Sequence, residues 1–205
     1  MKNLNKTFFV WLLVGASACI WVVLAWLYSV SSADVVGLFK LLPTVVAIDC
    51  VLIWVFVKWG WRWPLLHPWL VPFPDLNGTW KGEIHSTYRD REAGENVPIA
   101  TTLTIRQTFI EISCIMETNE MKSASGLADF FLDRAQQQKQ LIYTYCSRPK
   151  LTLADKSQMH DGTVTFDIVG NPPSRLVGRY WTTRCTVGDI ELRRLKRVGR
   201  SSRPK

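Results

Sequence analysis

The chain has 205 residues, of which 47% are hydrophobic, and a formal net charge of +8. Its five cysteines form no C-x-x-C pair and its three histidines are scattered. The sequence therefore supports neither a disulfide framework nor a zinc site, and we expect no metal and no cofactor. The basic balance favours anionic partners.

The first apolar segment, residues 8–30, carries no charge. At ~1.5 Å of rise per residue, a helix of this length crosses the ~30 Å hydrocarbon layer of a bilayer. A cleaved secretory signal is the alternative, because Lys2 and Lys6 give the chain a basic start. Signal cores reach only ~15 residues, so we predict a membrane-spanning helix.

The second apolar segment, residues 41–57, contains Pro43 and Asp49. Lys40 and Lys58 flank it, and their ammonium groups can reach the headgroups while their aliphatic stems stay in the apolar layer. We predict that this segment spans the membrane too. The tryptophans that follow are typical of an interfacial aromatic belt: Trp59, Trp61, Trp63 and Trp69.

The charges around the two spans predict their orientation. Lys2 and Lys6 precede the first span, and Lys58 and Arg62 follow the second. Asp34 lies in the short connection between them. Because positively charged flanks stay on the cytoplasmic side, we expect a two-pass protein with both termini in the cytoplasm.

Asp49 is a candidate functional residue within the membrane. A carboxylate near the middle of a membrane helix costs ~2.5 to 3.5 kcal/mol on insertion scales, so it should face protein or water. Two interpretations stay open. Several Asp49 side chains meet when chains associate, or Asp49 makes one polar contact between the two helices of a single chain.

Composition divides the chain into a hairpin at 1–62, a junction at 63–76, a barrel domain at 77–195 and a basic tail at 196–205. The prolines of the junction lack the amide hydrogen and restrict the residue before them, so we expect a stiff, non-helical spacer. The tail contains no acid, and contact with an anionic lipid bilayer is sufficient to explain it. We expect no binding of duplex nucleic acid.

Apolar and polar residues alternate from residue 78 onward, which is typical of strands with one buried face. We predict eight strands, at 78–88, 99–107, 109–118, 122–125, 139–148, 163–169, 175–182 and 186–194. The segment 127–138 has helical composition and is expected to form a helical excursion. Closure removes exposed strand edges. The predicted fold is membrane-anchored and all-β, with two N-terminal transmembrane helices followed by a small closed, mostly antiparallel eight-stranded β-barrel.

The interior of this barrel is predicted to be apolar at one end and polar at the other. Trp80 should plug the apolar end, with Arg194 stacked over its ring. The inward apolar residues are Trp80, Ile84, Leu103, Ile105, Ile110, Ile112, Val164, Phe166, Ile190 and Leu192. Tyr88, Tyr180 and Thr182 continue the inward phase toward the other end, with Arg184 directly after them, and should line an opening.

Three function classes follow from such a barrel, which is just wide enough to be filled by side chains or to hold one small ligand. A filled barrel would be a structural or docking module. The Gly-x-Trp start also occurs in lipocalins, which keeps open a membrane-tethered barrel that binds or senses a lipid. The third class is a receptor for a polar ligand. We expect no enzyme, since the sequence has no phosphate-binding glycine loop, G-x-S-x-G elbow or H-E-x-x-H motif.

The two spans, the proline-rich junction, residues 75–82 (DLNGTWKG) and residues 178–184 (GRYWTTR) resemble a family of CBASS antiphage effectors. These are the SMODS-associated two-transmembrane, β-strand-rich proteins. The resemblance implies a barrel at the bacterial inner membrane that binds a cyclic di- or oligonucleotide made by a partner nucleotidyltransferase. It also implies that the ligand promotes homo-oligomerisation through the membrane helices, which disrupts the membrane.

The chemistry of that ligand selects candidate binding residues. A cyclic dinucleotide has two anionic phosphates and two flat bases, so its pocket needs cations, hydroxyl donors and aromatic faces. The candidates are Tyr88, Arg106, Tyr145, Tyr180, Thr182 and Arg184, of which the resemblance favours the last three. A barrel tyrosine also suits a core or rim position, and an arginine near a strand end also suits a solvated one.

Overall fold

The computed structural model describes residues 6–31, 33–67, 69–87, 97–133, 138–149 and 159–195. The chain divides into two compact units, Lys2–Pro72 and Phe73–Lys205. Tyr88 and the basic tail at 196–205 lie outside the described residues.

The first unit contains two helices that are long and apolar enough to cross a membrane. Helix α1 spans Lys6–Leu27, and the second candidate span consists of α2 (Val35–Lys40) and α3 (Leu42–Lys58). Little of either span is buried within the chain, unlike the core helix of a soluble protein. Their length and composition are compatible with the predicted membrane anchor.

The second span begins earlier than the sequence predicted, because Asp34 caps it. The Asp34 carboxylate accepts a hydrogen bond from the Gly37 amide at 2.9 Å, which satisfies one of the donors that a helix start leaves free. Pro43 lies in the first turn of α3, where its missing amide hydrogen does no harm. The apolar segment predicted at 41–57 therefore corresponds to α3 alone and leaves out α2.

The break between α2 and α3 is covered from α1. The indole N–H of Trp21 donates to the Leu38 carbonyl at 3.2 Å. The same carbonyl also accepts from the Leu41 amide at 3.2 Å. Trp21 thus adds a second donor to this carbonyl and ties α2 to α1.

The expectation of a wholly non-helical junction was wrong. Pro64–Leu66 forms one turn of 3-10 helix, and another turn at Gly60–Arg62 precedes it. Pro64 occupies the first position of its turn, where the helix needs no amide hydrogen.

The second unit is a closed eight-stranded barrel, which confirms the predicted fold class. Each strand pairs antiparallel with the next, and β8 pairs with β1, so none of the eight has a free edge. The strands are β1 (Gly78–Ser86), β2 (Ile99–Gln107), β3 (Ile112–Thr118), β4 (Met121–Asp133), β5 (Gln138–Pro149), β6 (His160–Val169), β7 (Arg175–Thr182) and β8 (Val187–Arg194).

The helical excursion predicted at 127–138 was wrong over its described part, because β4 continues to Asp133 and pairs there with β5. Residues 134–137 lie outside the described residues. A register shift between Ser125 and Leu127 interrupts the period-two pattern there. Such a bulge adds one residue to one strand and inverts the phase beyond it. Beyond the bulge, Ala128 and Phe130 pack against the barrel core.

The inward assignment of Ile110 was also wrong, since its side chain is 59% exposed. Residues 108–111 form a turn in which the Thr108 amide donates to the Glu111 carbonyl at 2.8 Å. The Thr108 hydroxyl accepts from the Glu111 amide at 3.0 Å. The inward phase of β3 begins only at Ile112.

One end of the barrel, which we call the closed end, is filled around Trp80. The Trp80 ring is fully buried, and its indole N–H donates to the Leu76 carbonyl at 3.0 Å. The Arg194 guanidinium carbon lies 5.4 Å from the ring centroid. Arg194 also donates to the Asn77 carbonyl at 2.6 Å, so the charge over the ring is held by the backbone.

A buried glutamine completes the closed end. Gln107 accepts a hydrogen bond from the Leu76 amide at 2.9 Å and donates to the Pro74 carbonyl at 3.1 Å. The Asn77 side chain in turn donates to the Gln107 backbone carbonyl and accepts from the Gln107 backbone amide. Gly78 has a φ of 128°, a left-handed conformation that glycine adopts readily. Residues 74–80 therefore build a structural cap.

Candidate functional site

The opposite end of the barrel, which we call the open end, lies where β1 ends at Ser86 and β7 ends at Thr182. A cavity of about 440 Å³ occupies this end, a volume in the range of small-molecule sites. The inner part of its lining is apolar and consists of Ile84, Met116, Val164 and Ile190. Trp80 and the closed end lie on the other side of the core.

Hydroxyl groups line the cavity above these apolar residues. Ser86, Ser123 and Ser147 point inward from three strands and are buried. Ser123 donates to the Met116 carbonyl at 3.4 Å, and Ser147 has a long contact of 3.7 Å to the Met121 sulfur. These weak contacts leave hydroxyls that can turn toward a polar ligand.

Two tyrosines form the aromatic part of the cavity. The Tyr180 hydroxyl donates to Ser86 at 2.5 Å, and Tyr145 meets the His160 ring edge-on at 6.5 Å between centroids. Burial, reinforced by the nearby Tyr180, raises the pKa of Tyr145. Burial also raises the pKa of Tyr180, and the Ser86 hydrogen bond opposes that rise. Both tyrosines are therefore neutral at physiological pH and present no negative charge to an anionic ligand.

Arg184 lies in the tight turn between β7 and β8 and lines the same cavity. The Thr182 hydroxyl accepts from the Arg184 amide at 3.2 Å and lies 2.6 Å from the Thr186 hydroxyl. Cys185 takes a φ of 57°, the left-handed position usual in a three-residue hairpin loop. These contacts fix the Arg184 backbone, while its half-buried side chain supplies positive charge to the mouth.

The structure brings together only part of the set of candidate ligand residues. Tyr145, Tyr180 and Arg184 line the cavity, whereas Thr182 orders the turn beside it. Arg106 points outward from β2 near the closed end and does not line the cavity. The inward serines were not among the binding residues predicted from the sequence. Ser86 continues the phase of Trp80 and Ile84, and that signal could have found it.

Tyr143 lies deeper in the barrel than Tyr145, and its hydroxyl is buried. It is buried in the core, and its ring centroid lies 6.1 Å from that of Tyr145. Among the residues that the structure describes, its hydroxyl has no hydrogen-bond partner. Burial raises the pKa of Tyr143, and the neighbouring Cys114 and Tyr145 add to the rise. The hydroxyl is therefore a neutral polar group inside an apolar layer.

The candidate membrane residue Asp49 has a partner within its own hairpin. The Ser17 hydroxyl of α1 lies 2.7 Å from an Asp49 carboxylate oxygen and also 3.0 Å from the Leu13 carbonyl. This is the single-chain contact that the sequence left open as one of two interpretations. A polar pair between helices stabilises a membrane hairpin by about 0.6 kcal/mol on average, so the contact is weak enough to exchange.

Metal binding has no support in the described ranges, where no three His, Cys, Asp or Glu side chains cluster as ligands would. All five cysteines are free.

Two comparisons with known proteins match this architecture. The family described as "Cap15, cyclic dinucleotide receptor domain" matches residues 71–194, which contain the whole barrel. The curated protein "CD-NTase-associated protein 15" of Staphylococcus schleiferi is 28% identical over 141 residues. That alignment covers 69% of this chain and 71% of the relative.

Proposed function

The chain belongs to the Cap15 cyclic dinucleotide receptor family and is a CBASS antiphage effector, and from this premise we propose that its second messenger binds in the cavity at the open end. One observation carries the proposal. The two ends of the barrel differ, because the closed end is filled around Trp80 and the open end holds about 440 Å³ lined by hydroxyls, tyrosines and an arginine.

The lining fits the chemistry of a cyclic dinucleotide. Arg184 supplies a guanidinium for a phosphate, since charge-assisted hydrogen bonds are roughly twice as strong as neutral ones. Tyr145 and Tyr180 supply flat faces for bases. Ser123 and Ser147 supply hydroxyls for sugar and base edges. The family's receptor role points to a non-catalytic effector whose messenger comes from a partner nucleotidyltransferase.

The test is a pair of arginine variants. Full-length protein in detergent is titrated by calorimetry with a panel of 3′–5′-linked cyclic dinucleotides that covers all combinations of two bases. A hydrogen bond to a charged group is worth ~1.5 to 3 kcal/mol, so Arg184→Ala should weaken binding by about 10- to 150-fold. Arg106→Ala removes the same charge from the outer wall near the closed end and should bind like the parent.

Two results would contradict the assignment. Unchanged affinity of Arg184→Ala would move the phosphate site away from this turn. Equal losses in both arginine variants would indicate a diffuse charge effect, which salt would screen. Binding of an acyl lipid instead of any cyclic dinucleotide would favour the alternative function, a lipid-binding barrel, which the apolar residues deep in the cavity would also suit.

We propose further that ligand-bound chains associate through α1 and α3 and disrupt the bacterial inner membrane. The helices of one hairpin cannot enclose a water path, so a leak requires several chains. Asp49 supports this proposal, because its contact to Ser17 is weak and can be exchanged for contacts between chains. Both termini would lie in the cytoplasm, where the barrel meets the messenger.

Liposomes with trapped dye test this output. Ligand added to liposomes that carry the full-length protein should release dye and produce cross-linked species larger than the monomer. Dye release with no change in the cross-linked species would argue that single hairpins perturb the bilayer. Formation of cross-linked oligomers without release of dye would mean that the helices mediate assembly but do not disrupt the membrane.

A further inference from the structure

Tyr145 and Tyr180 share a feature of the barrel wall that residue type alone does not predict. Each tyrosine is paired with a glycine on the next strand. Tyr145 of β5 is opposite Gly162 of β6, and Tyr180 of β7 is opposite Gly188 of β8. Both glycines lie in the inward phase of their strands.

The space above each glycine is occupied by the tyrosine ring itself. A Cβ atom built on Gly162 would lie 2.5 Å from both the Cζ and Oη atoms of Tyr145 and 2.8 Å from the Trp181 carbonyl oxygen. A Cβ atom built on Gly188 would lie 2.6 Å from the Cε1 atom of Tyr180 and would also collide with the His85 carbonyl. Real Cβ atoms do not approach so closely, so each ring lies in a place that only glycine leaves free.

We propose that Gly162 and Gly188 are positioning residues that hold the Tyr145 and Tyr180 rings against the barrel wall as two platforms for the two bases of the ligand. A ring that packs against the glycine backbone does not fill the cavity, and its opposite face is turned toward the cavity. A side chain at either glycine would push the ring inward, where it would occupy the volume that a base needs.

Contacts around each ring support a fixed orientation. Tyr180 is held at its hydroxyl by Ser86. The Tyr145 ring packs against the rings of His160 and Tyr143. Pre-organised rings lose less freedom when a ligand binds, which favours affinity. The inference rests on the proposed function, since it assigns the two bases of that ligand to these two faces.

A double-mutant cycle tests Gly162, with the tightest-binding cyclic dinucleotide of the panel as the probe. If Gly162 acts through the Tyr145 ring, Gly162→Ala should weaken binding about 5- to 150-fold in the parent, the range for loss of one stacked base. It should change affinity less than about threefold in the Tyr145→Ala background, where no ring remains to be displaced. Gly126→Ala is the matched control, because its Cβ would meet nothing within 4 Å.

A second series tests the rings themselves, because a Cβ atom on Gly188 would also collide with the His85 backbone and Gly188→Ala is a poor probe of the Tyr180 ring alone. Tyr145→Phe and Tyr180→Phe keep the ring faces and should bind within about threefold of the parent, whereas Tyr145→Ala and Tyr180→Ala should each lose about 5- to 150-fold. Phe variants that lose as much as Ala variants would overturn the inference in favour of hydroxyl contacts. An equal effect of Gly162→Ala with and without the Tyr145 ring would also overturn it. Failure of the parent to bind any cyclic dinucleotide would instead refute the proposed function.

Discussion

Removal of the Trp80 ring should open the closed end of the barrel before it alters the ligand site. Replacing a large buried aromatic by alanine costs about 3 to 5 kcal/mol. Trp80→Ala also removes the hydrogen bond to the Leu76 carbonyl and the ring beneath Arg194, and a buried hydrogen bond is worth about 1 kcal/mol. A loss of about 4 to 6 kcal/mol is a large part of the 5 to 15 kcal/mol that stabilises a typical domain.

Cys114 reports this opening directly. It is buried in the barrel core, and burial raises the pKa of its thiol to about 12, so the native barrel holds little thiolate. A loss of about 4 kcal/mol raises the open population about 1,000-fold. Alkylation of Cys114, followed by mass spectrometry, should therefore be much faster in Trp80→Ala than in the parent, while the exposed Cys185 reacts in both.

Trp181→Ala is the matched control, because this tryptophan is 48% exposed on the outer face of β7. Its loss should leave the protection of Cys114 nearly unchanged. The relative affinities of Trp80→Ala for different cyclic dinucleotides should match those of the parent where the barrel is folded. A Trp80→Ala barrel with normal protection of Cys114 and lost ligand binding would refute the assignment of Trp80 to closure.

Two further changes test the interior and the membrane. Tyr143→Phe removes a buried hydroxyl that has no partner among the described residues and should raise the melting temperature, since such a group carries a penalty of about 1 to 3 kcal/mol; a lower melting temperature would mean that the hydroxyl is satisfied. Asp49→Leu removes the carboxylate that contacts Ser17 and should bind ligand normally but depolarise cells less on activation, whereas Asp49→Asn keeps an acceptor for Ser17 and should behave more like the parent. Full depolarisation by Asp49→Leu would refute a role for a polar helix face.

The barrel could be predicted from the sequence wherever one physical rule acted alone. Strict alternation along β1, as in Trp80 and Ile84, follows from burying one face. The rule failed in β4, where the shift between Ser125 and Leu127 interrupts the period. The helix-forming composition beyond it then favoured the wrong element. Pairing with β5 outweighed that local propensity, and no pattern within the segment records this pairing.

The site was predicted less completely, because the sequence alone does not distinguish a polar strand residue that faces solvent from one that faces a cavity. Aromatic residues near strand ends were informative, as Tyr145 and Tyr180 line the mouth. Ser123 and Ser147 look like ordinary surface residues in the sequence. Arg106 was a weaker candidate than Arg184. Leu103 and Ile105 face inward on β2, so the period of two already turns Arg106 outward. Arg184 lies at the mouth.

The division of the barrel into two unlike ends explains how a small receptor can keep an open cavity. The closed end concentrates its stabilising contacts: Trp80, Leu76 and Gln107 are buried with their polar groups satisfied. At the open end, Ser123 and Ser147 have only long contacts within the described part of the chain, of 3.4 Å and 3.7 Å. A ligand that satisfies polar groups at the mouth would bind only the folded barrel and so stabilise it by mass action. Ligand binding should therefore slow the alkylation of Cys114 by a similar factor in the parent and in variants with a weakened closed end, provided that their affinity for the ligand is unchanged.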